Sequence, residues 1–214
     1  EDPLNGFLPS VGRIAKFYRR EADLIYPPVD TQRFQAASPD EVGDYYLVVS
    51  RLVPYKRVDL AVEAFNRLRL PLLIIGDGRD RRALERMARA NIHFAGRVTQ
   101  DELTRAISRC RAFIFPGEED FGIAPLEAMA SGRPVIAYAG GGALETGTEG
   151  ETGVFFGEAT TEALAEAVQR LDPAAFDPAI LRRYAETFDT AVFKAKFDAY
   201  VAEKLAEHQK RFGG

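Results

Sequence analysis

Short apolar runs, four to six residues long and rich in β-branched or aromatic side chains, recur along the first three quarters of the chain, separated by amphipathic stretches. The runs over 45–50, 71–76, 91–95, 112–115, 134–138 and 153–156 read as strands. Between them, Val58, Ala61, Val62, Ala64, Phe65 and Leu68 recur at helical spacing, and so do Leu84, Met87 and Ala88, which predicts helices near 58–68 and 80–90. Strands apolar on both faces and joined by helices imply an α/β fold of Rossmann-like type: a parallel sheet covered on both sides. Such sheets bind ligands at the carboxyl edge of their strands. After Phe156 the pattern turns wholly helical, with segments over 161–171, 178–187 and about 190–211. In the last, Phe193, Phe197, Tyr200, Val201 and Leu205 form one stripe, which reads either as a cover for an open sheet edge or as a surface for a further domain. Neither internal repeats nor low-complexity segments interrupt the pattern.

Composition narrows the class. With 46% hydrophobic and 28% charged residues, 214 residues suffice for a full core, so one domain is expected over 10–214, including the C-terminal helical segment from about 157. Residues 1–9, which lack an initiator methionine and hold Pro3 and Gly6, read as a linker remnant. The net charge of −4, with 28 basic and 32 acidic residues interspersed, excludes a basic field for tracking nucleic acid. No run reaches the roughly 20 apolar residues that span a bilayer, and the first residues lack a signal-peptide layout, so a cytoplasmic protein is expected. Cys110 is alone and reads as a packed thiol, while His93 and His208 are too isolated for a metal site or a triad.

Candidate chemistry concentrates at two strand-to-helix junctions. After the strand at 112–115 comes Glu119-Asp120-Phe121-Gly122-Ile123-Ala124-Pro125-Leu126-Glu127, a glycine-bearing turn that opens a helix between two carboxylates. The first N–H groups of a helix lack intrahelical partners and carry the positive end of its dipole, so an anion docks there. Carboxylates accept hydrogen bonds from sugar hydroxyls. Glu119 and Glu127 therefore suit hydroxylated rings on either side of a phosphate bridge, although acidic residues also stabilise any helix start. The strand at 45–50 leads into Arg51-Leu52-Val53-Pro54-Tyr55-Lys56-Arg57. Near two carboxylates an anion meets repulsion of roughly 4 kcal/mol per contact at an effective dielectric of about 20, and nearby cations must offset it. Arg51 and Lys56 are the candidates for a diphosphate clamp.

Taken in order, Ser50-Arg51 through Lys56, Ile75-Gly76-Asp77-Gly78, Phe94-Ala95-Gly96-Arg97-Val98, Phe115-Pro116, Glu119 with Glu127 and the following Ala-Met-Ala-Ser-Gly132-Arg-Pro-Val135, and Gly140-Gly141-Gly142 with Glu145 resemble the donor-binding half of retaining family 4 (group 1) glycosyltransferases, which are built from two Rossmann domains. The lead-in Ile25-Tyr26-Pro27-Pro28-Val29-Asp30 with Phe34 is similar to members that transfer mannose. The resemblance implies catalytic roles for Arg51, Lys56 and Glu119. It also implies donor contacts at Gly76, Asp77, Gly78, Arg97, Val98, Phe121, Gly122, Ile123, Glu127, Gly141 and Gly142, with the main chain of Arg97 and Val98 reading the nucleobase and Glu127 holding the ribose. Gly76-Asp77-Gly78 alone also fits an ordinary turn, and Gly140-Gly141-Gly142 either wraps a phosphate or sugar or is a flexible loop. Asp120 departs from the family pattern, which often has glycine there, and adds a negative charge beside the donor.

The implied activity is hexosyl transfer with retention, from GDP-mannose first and a UDP-sugar second, of the kind used in polysaccharide biosynthesis. It needs no cofactor and no metal. The implied partners are the nucleotide sugar and an absent N-terminal acceptor-binding domain, which would also carry any peripheral membrane association. The isolated piece is then expected to bind donor weakly and turn over poorly. Two alternatives stand beside this reading: a sugar-nucleotide epimerase or phosphorylase of the same architecture, and a non-catalytic domain that only binds nucleotide sugar.

Overall fold

A computed structural model describes residues 12–212; the expected linker remnant at 1–9 lies outside them. Six strands, β1 (Tyr46–Val49), β2 (Leu72–Ile75), β3 (Ile92–Gly96), β4 (Ala112–Phe115), β5 (Val135–Tyr138) and β6 (Gly153–Phe156), pair in parallel in the order β3-β2-β1-β4-β5-β6. The strands are short and apolar on both faces because both faces are covered. One buried cluster gathers Val48, Phe65, Ile74, Ile114 and Leu164, and the other gathers Leu47, Phe113, Leu126, Met129 and Val135. Neighbouring strand residues thus feed opposite cores, as the pleat requires.

Eight α-helices accompany the sheet among the described residues: α1 (Val58–Leu68), α2 (Arg81–Met87), α3 (Gln100–Arg109), α4 (Ile123–Ala130), α5 (Ala143–Thr146), α6 (Thr161–Arg170), α7 (Pro178–Glu186) and α8 (Thr190–Phe212). The expected helix at 80–90 stops at Met87, where the Asn66 side chain donates to the Met87 carbonyl at 2.7 Å and accepts from the Arg89 N–H at 2.9 Å. Helix α3 was not among the expected elements. Its signal is a capping box: Glu102 accepts from the Thr99 N–H at 2.7 Å and Thr99 Oγ1 accepts from the Glu102 N–H.

Helix α8 decides against one of the two readings open for it. No residue of it is buried, so it does not seal a sheet edge. It is tied down at its start, where the Thr190 N–H donates to the Val29 carbonyl at 3.1 Å, and further along the Tyr200 hydroxyl donates to Asp23 at 2.8 Å and Lys204 lies 3.8 Å from the same carboxylate. Phe197, Val201, Leu205 and Phe212 are all exposed. Of the stripe read from the sequence, Phe197, Val201 and Leu205 face outward, while Phe193 and Tyr200 are half-buried. His93 is exposed on the edge strand β3, and Cys110 is fully buried, where loss of water pushes its thiol up to about 12 and keeps it inert.

Candidate functional site

The chain leaves β1 for β2 on one side, while β4 pairs with β1 on the other. Loops leaving these two strands diverge, and the gap between them is where a parallel sheet opens a crevice. A cleft of about 570 Å³ lies there, lined by Ser50, Tyr55 and Lys56 from the loop after β1 and by residues 118–124 after β4. Its volume suits a small organic ligand.

Glycines bring the walls together. A Cβ on Gly117 would lie 2.8 Å from the Lys56 carbonyl, so the exit from β4 rests directly on the Pro54–Lys56 turn. Gly122 caps α4 with φ +95°, a conformation that disfavours any residue with a Cβ. The N–H groups of Phe121, Gly122, Ile123 and Ala124 have no acceptor among the described residues, and all four residues line the cleft. Pro125, within the first turn, has no N–H to leave unpaired. Four successive donors at the positive end of a helix are thus presented to whatever fills the crevice.

Lys56 Nζ pairs with Glu119 Oε1 inside the cleft, with side chains only 15% and 24% exposed. The ammonium also lies 5.2 Å from the centre of the Tyr55 ring. Arg13, distant in sequence, pairs with Asp120 at the rim at 3.1 Å. Both members of that rim pair are largely exposed, so water screens it and it adds little stability. The mouth therefore carries Glu118, Glu119 and Asp120 against Lys56 and Arg13, and the extra charge of Asp120 is met by a partner in the lead-in segment.

Arg51 does not line this cleft. It borders a neighbouring cavity of about 400 Å³ with Val53, Asp77, Gly78, Arg79 and Arg97. The expected clamp of Arg51 and Lys56 is accordingly split: Arg51 precedes the 3₁₀ turn over 54–56 and Lys56 closes it, and each cation borders its own cavity along one sheet edge. The second cavity owes its shape to close backbone packing. A Cβ on Gly76 would fall 1.9 Å from the Ser50 carbonyl and one on Gly78 2.2 Å from that of Leu52, while the Leu52 N–H donates to the Asp77 carbonyl at 3.0 Å. The main-chain groups of Arg97 and Val98 have no partner among the described residues. Three guanidinium groups make this cavity basic.

Gly141 and Gly142 back the acidic turn from outside the cleft. Gly142 N–H donates to the Glu119 carbonyl at 2.7 Å, and a Cβ there would lie 2.2 Å from Phe121 Cα; one on Gly141, whose φ is +56°, would lie 2.3 Å from the Glu119 carbonyl. Of the two readings left open for this loop, the structure commits the Gly142 amide to the protein. Glu145 is also engaged: it accepts from the Tyr26 hydroxyl at 2.6 Å.

Glu127 lies one helical turn inside α4, half-buried and bordering neither cavity. Burial pushes its carboxyl up to about 7, opposed in part by Arg33. The sign of the consequence is fixed. A carboxyl that ionises near 7 when folded and near 4.5 when unfolded imposes no penalty at pH 4. It costs stability progressively as pH rises from about 4.5 to 7, on the order of 2–3 kcal/mol, with no further change above. Urea unfolding at pH 4 and pH 8 checks this: Glu127→Gln is expected to stabilise the chain at pH 8 by about that amount and to leave it nearly unchanged at pH 4.

Arg13, Tyr55 and Glu118 belong to the cleft and were not singled out from the sequence. Tyr55 lay within a motif already quoted, and Glu118 precedes the first carboxylate. Arg13 reaches Asp120 across 107 residues, a distance that no local spacing encodes. Among the described residues no group of three potential metal ligands occurs, and no helix is long and apolar enough to cross a membrane.

The model of the family "Glycosyl transferases group 1" matches residues 29–173. The GDP-mannose-dependent alpha-(1-6)-phosphatidylinositol monomannoside mannosyltransferase of Mycolicibacterium smegmatis is 34% identical over 171 residues, covering 66% of this chain and 44% of that protein. Among solved structures, sucrose-phosphate synthase from Thermosynechococcus elongatus superposes with a TM-score of 0.82 at 23% identity, over 92% of this chain and 56% of that one. The Anabaena protein HepE, in complex with UDP and glucose, superposes with a TM-score of 0.73 at 18% identity, over 84% of this chain and 56% of that one. The chain spans about half the length of the curated relatives it matches.

Proposed function

We propose, from the premise that this chain belongs to the group 1 glycosyltransferases, that it is the nucleotide-sugar-binding half of an enzyme that transfers a hexose with retention of anomeric configuration. One observation carries this reading: four unpaired amides at residues 121–124 and the Lys56–Glu119 pair share a single cleft at the switch point of the sheet.

The donor's sugar and distal phosphate occupy that cleft. Glu119 accepts from sugar hydroxyls, while the phosphate takes hydrogen bonds from the helix amides and from Lys56. Donor entry exchanges one carboxylate partner of Lys56 for a phosphate, so the ammonium stays compensated throughout. As the glycosidic bond to the diphosphate breaks, negative charge gathers on the departing oxygen. Fixed donors aimed at developing charge stabilise it most effectively, because they need no reorganisation. In this proposal Lys56 and the amides supply that compensation, without a metal or a cofactor.

The basic second cavity takes the nucleoside end. Arg51, Asp77, Gly78 and Arg97 border it, Gly76 holds the adjoining strand exits together, and the open main-chain edges of Arg97 and the neighbouring Val98 meet the base. Glu127, which the resemblance assigns to the ribose, borders neither cavity and has no donor contact in this proposal. GDP-mannose is the first choice of donor, supported by the mannosyltransferase relative, and a UDP-sugar the second, supported by the likeness to HepE. Acceptor binding belongs to a further domain, so this chain alone is expected to bind donor weakly and turn over little.

Calorimetric titration of the chain with GDP, UDP and their hexose conjugates tests the reading. GDP and GDP-mannose are expected to bind more tightly than the uridine compounds. The reverse order reassigns the donor, and absence of binding by all four contradicts the proposal.

A further inference from the structure

The acidic turn that presents Glu119 and the free amides is supported from behind by one side chain that no donor role includes. Tyr26, in the lead-in segment, stacks on Phe121 with ring centres 5.6 Å apart and planes inclined by 26°. Its other neighbour is Phe188, edge-on at 5.5 Å, and Phe188 itself meets Phe121 at 5.8 Å. The three rings form a closed cluster in which each touches the other two. Offset stacks and edge contacts fix relative position as well as burying area.

The Tyr26 hydroxyl reaches past this cluster to Glu145 at 2.6 Å, a contact between residues 119 apart in sequence. Glu145 lies on α5, and α5 is the element that clasps the turn from the other side. Gly142 N–H donates to the Glu119 carbonyl, and Thr146 Oγ1 lies 3.4 Å from the Phe121 carbonyl. A hydrogen bond to an ionised carboxylate is stronger than one between neutral groups. Tyr26 thus holds two things at once: the ring of the turn's central residue, and the helix against which the turn's backbone is seated.

We propose that Tyr26 is a positioning residue for the donor turn: through Phe121 and Glu145 it seats residues 118–122 so that Glu119 and the amides of 121–124 face the cleft together. The proposal rests on the donor reading for its consequence, though not for its geometry. It also gives Glu145 a role distinct from direct contact with a phosphate or sugar. Because Tyr26 belongs to the segment that precedes the sheet, a movement of that segment reaches the turn through this side chain as well as through the Arg13–Asp120 pair at the rim.

Two readouts on the chain test this. Hydrogen exchange at the Gly142 amide, which is protected by the Glu119 carbonyl, reports the seating of the turn, with the β1 amides as a control for whole-chain unfolding. Calorimetry with GDP and UDP reports the consequence. In Tyr26→Phe, which keeps the ring, Gly142 exchange is expected to rise about tenfold, equivalent to about 1.4 kcal/mol, while β1 protection is retained. Nucleotide affinity is expected to fall about three- to tenfold. Glu145→Ala is expected to behave likewise, and Glu145→Gln, which keeps an acceptor, to recover most of both losses. Unchanged Gly142 exchange in Tyr26→Phe overturns the proposal, as does faster exchange with unaltered nucleotide affinity. If the wild-type chain binds neither nucleotide while Gly142 exchange responds as expected, the donor reading fails and the seating role stands.

Discussion

Lys56→Met is expected to lower the affinity of this chain for a nucleoside diphosphate by roughly 10- to 100-fold. The estimate takes about 1.5–3 kcal/mol for a hydrogen bond to a charged group. Two effects act in the same direction. The phosphate loses a cation on a side chain that is only 15% exposed, where water screens little. Glu119 loses its partner, and its uncompensated carboxylate then repels the incoming anion. Methionine keeps most of the stem's apolar contact, which separates charge from packing. Arg51→Met is expected to cost less, because Arg51 is exposed and borders the second cavity. Calorimetry with both variants at low and physiological salt checks the order. Equal losses, or a larger loss for Arg51, would place the diphosphate in the arginine-lined cavity.

Gly76→Ala is expected to destabilise the fold by about 2–4 kcal/mol, at or beyond the usual range for overpacking because two penalties combine. Gly76 has φ +133°, where a Cβ is strained whatever the space around it, and that Cβ would sit 1.9 Å from the Ser50 carbonyl oxygen. The obstruction is backbone, which cannot rotate aside as a side chain would. Relief requires β2's exit to move away from β1's exit, and that breaks the seam on which the second cavity is built. Denaturant unfolding measures the cost. Gly157→Ala is the matched control: a Cβ there meets nothing within 4 Å, so a change within about 0.5 kcal/mol is expected.

These two residues also show what the sequence made legible. The strands were readable because both faces of the sheet are buried: runs such as Leu72-Leu73-Ile74-Ile75 need no polar alternation. The loops of the site were readable because glycine and charge recur after strand ends, where backbone must approach backbone. What stayed hidden depends on direction or on distance along the chain. Lys56 follows Arg51 by only five positions, but it closes the 3₁₀ turn over 54–56 and borders a different cavity, and composition carries no record of that turn's direction. Gly141 and Gly142 were recognised as special, yet only packing shows that they serve the neighbouring turn. The Arg13–Asp120 and Tyr26–Glu145 contacts join residues more than 100 apart and leave no periodic trace. Helix α8 shows the converse case: its apolar stripe was legible, but the partner that a stripe implies is not written in the stripe itself.

A crystal structure of this chain with GDP bound tests the central claim most directly. The account predicts the terminal phosphate within hydrogen-bonding distance of the amides around Gly122 and Ile123, Lys56 Nζ in contact with that phosphate, and the guanine against the main chain of Arg97 and Val98. A phosphate held by Arg51 and Arg79, with Lys56 still paired to Glu119 alone and the amides of 121–124 unoccupied, would contradict it.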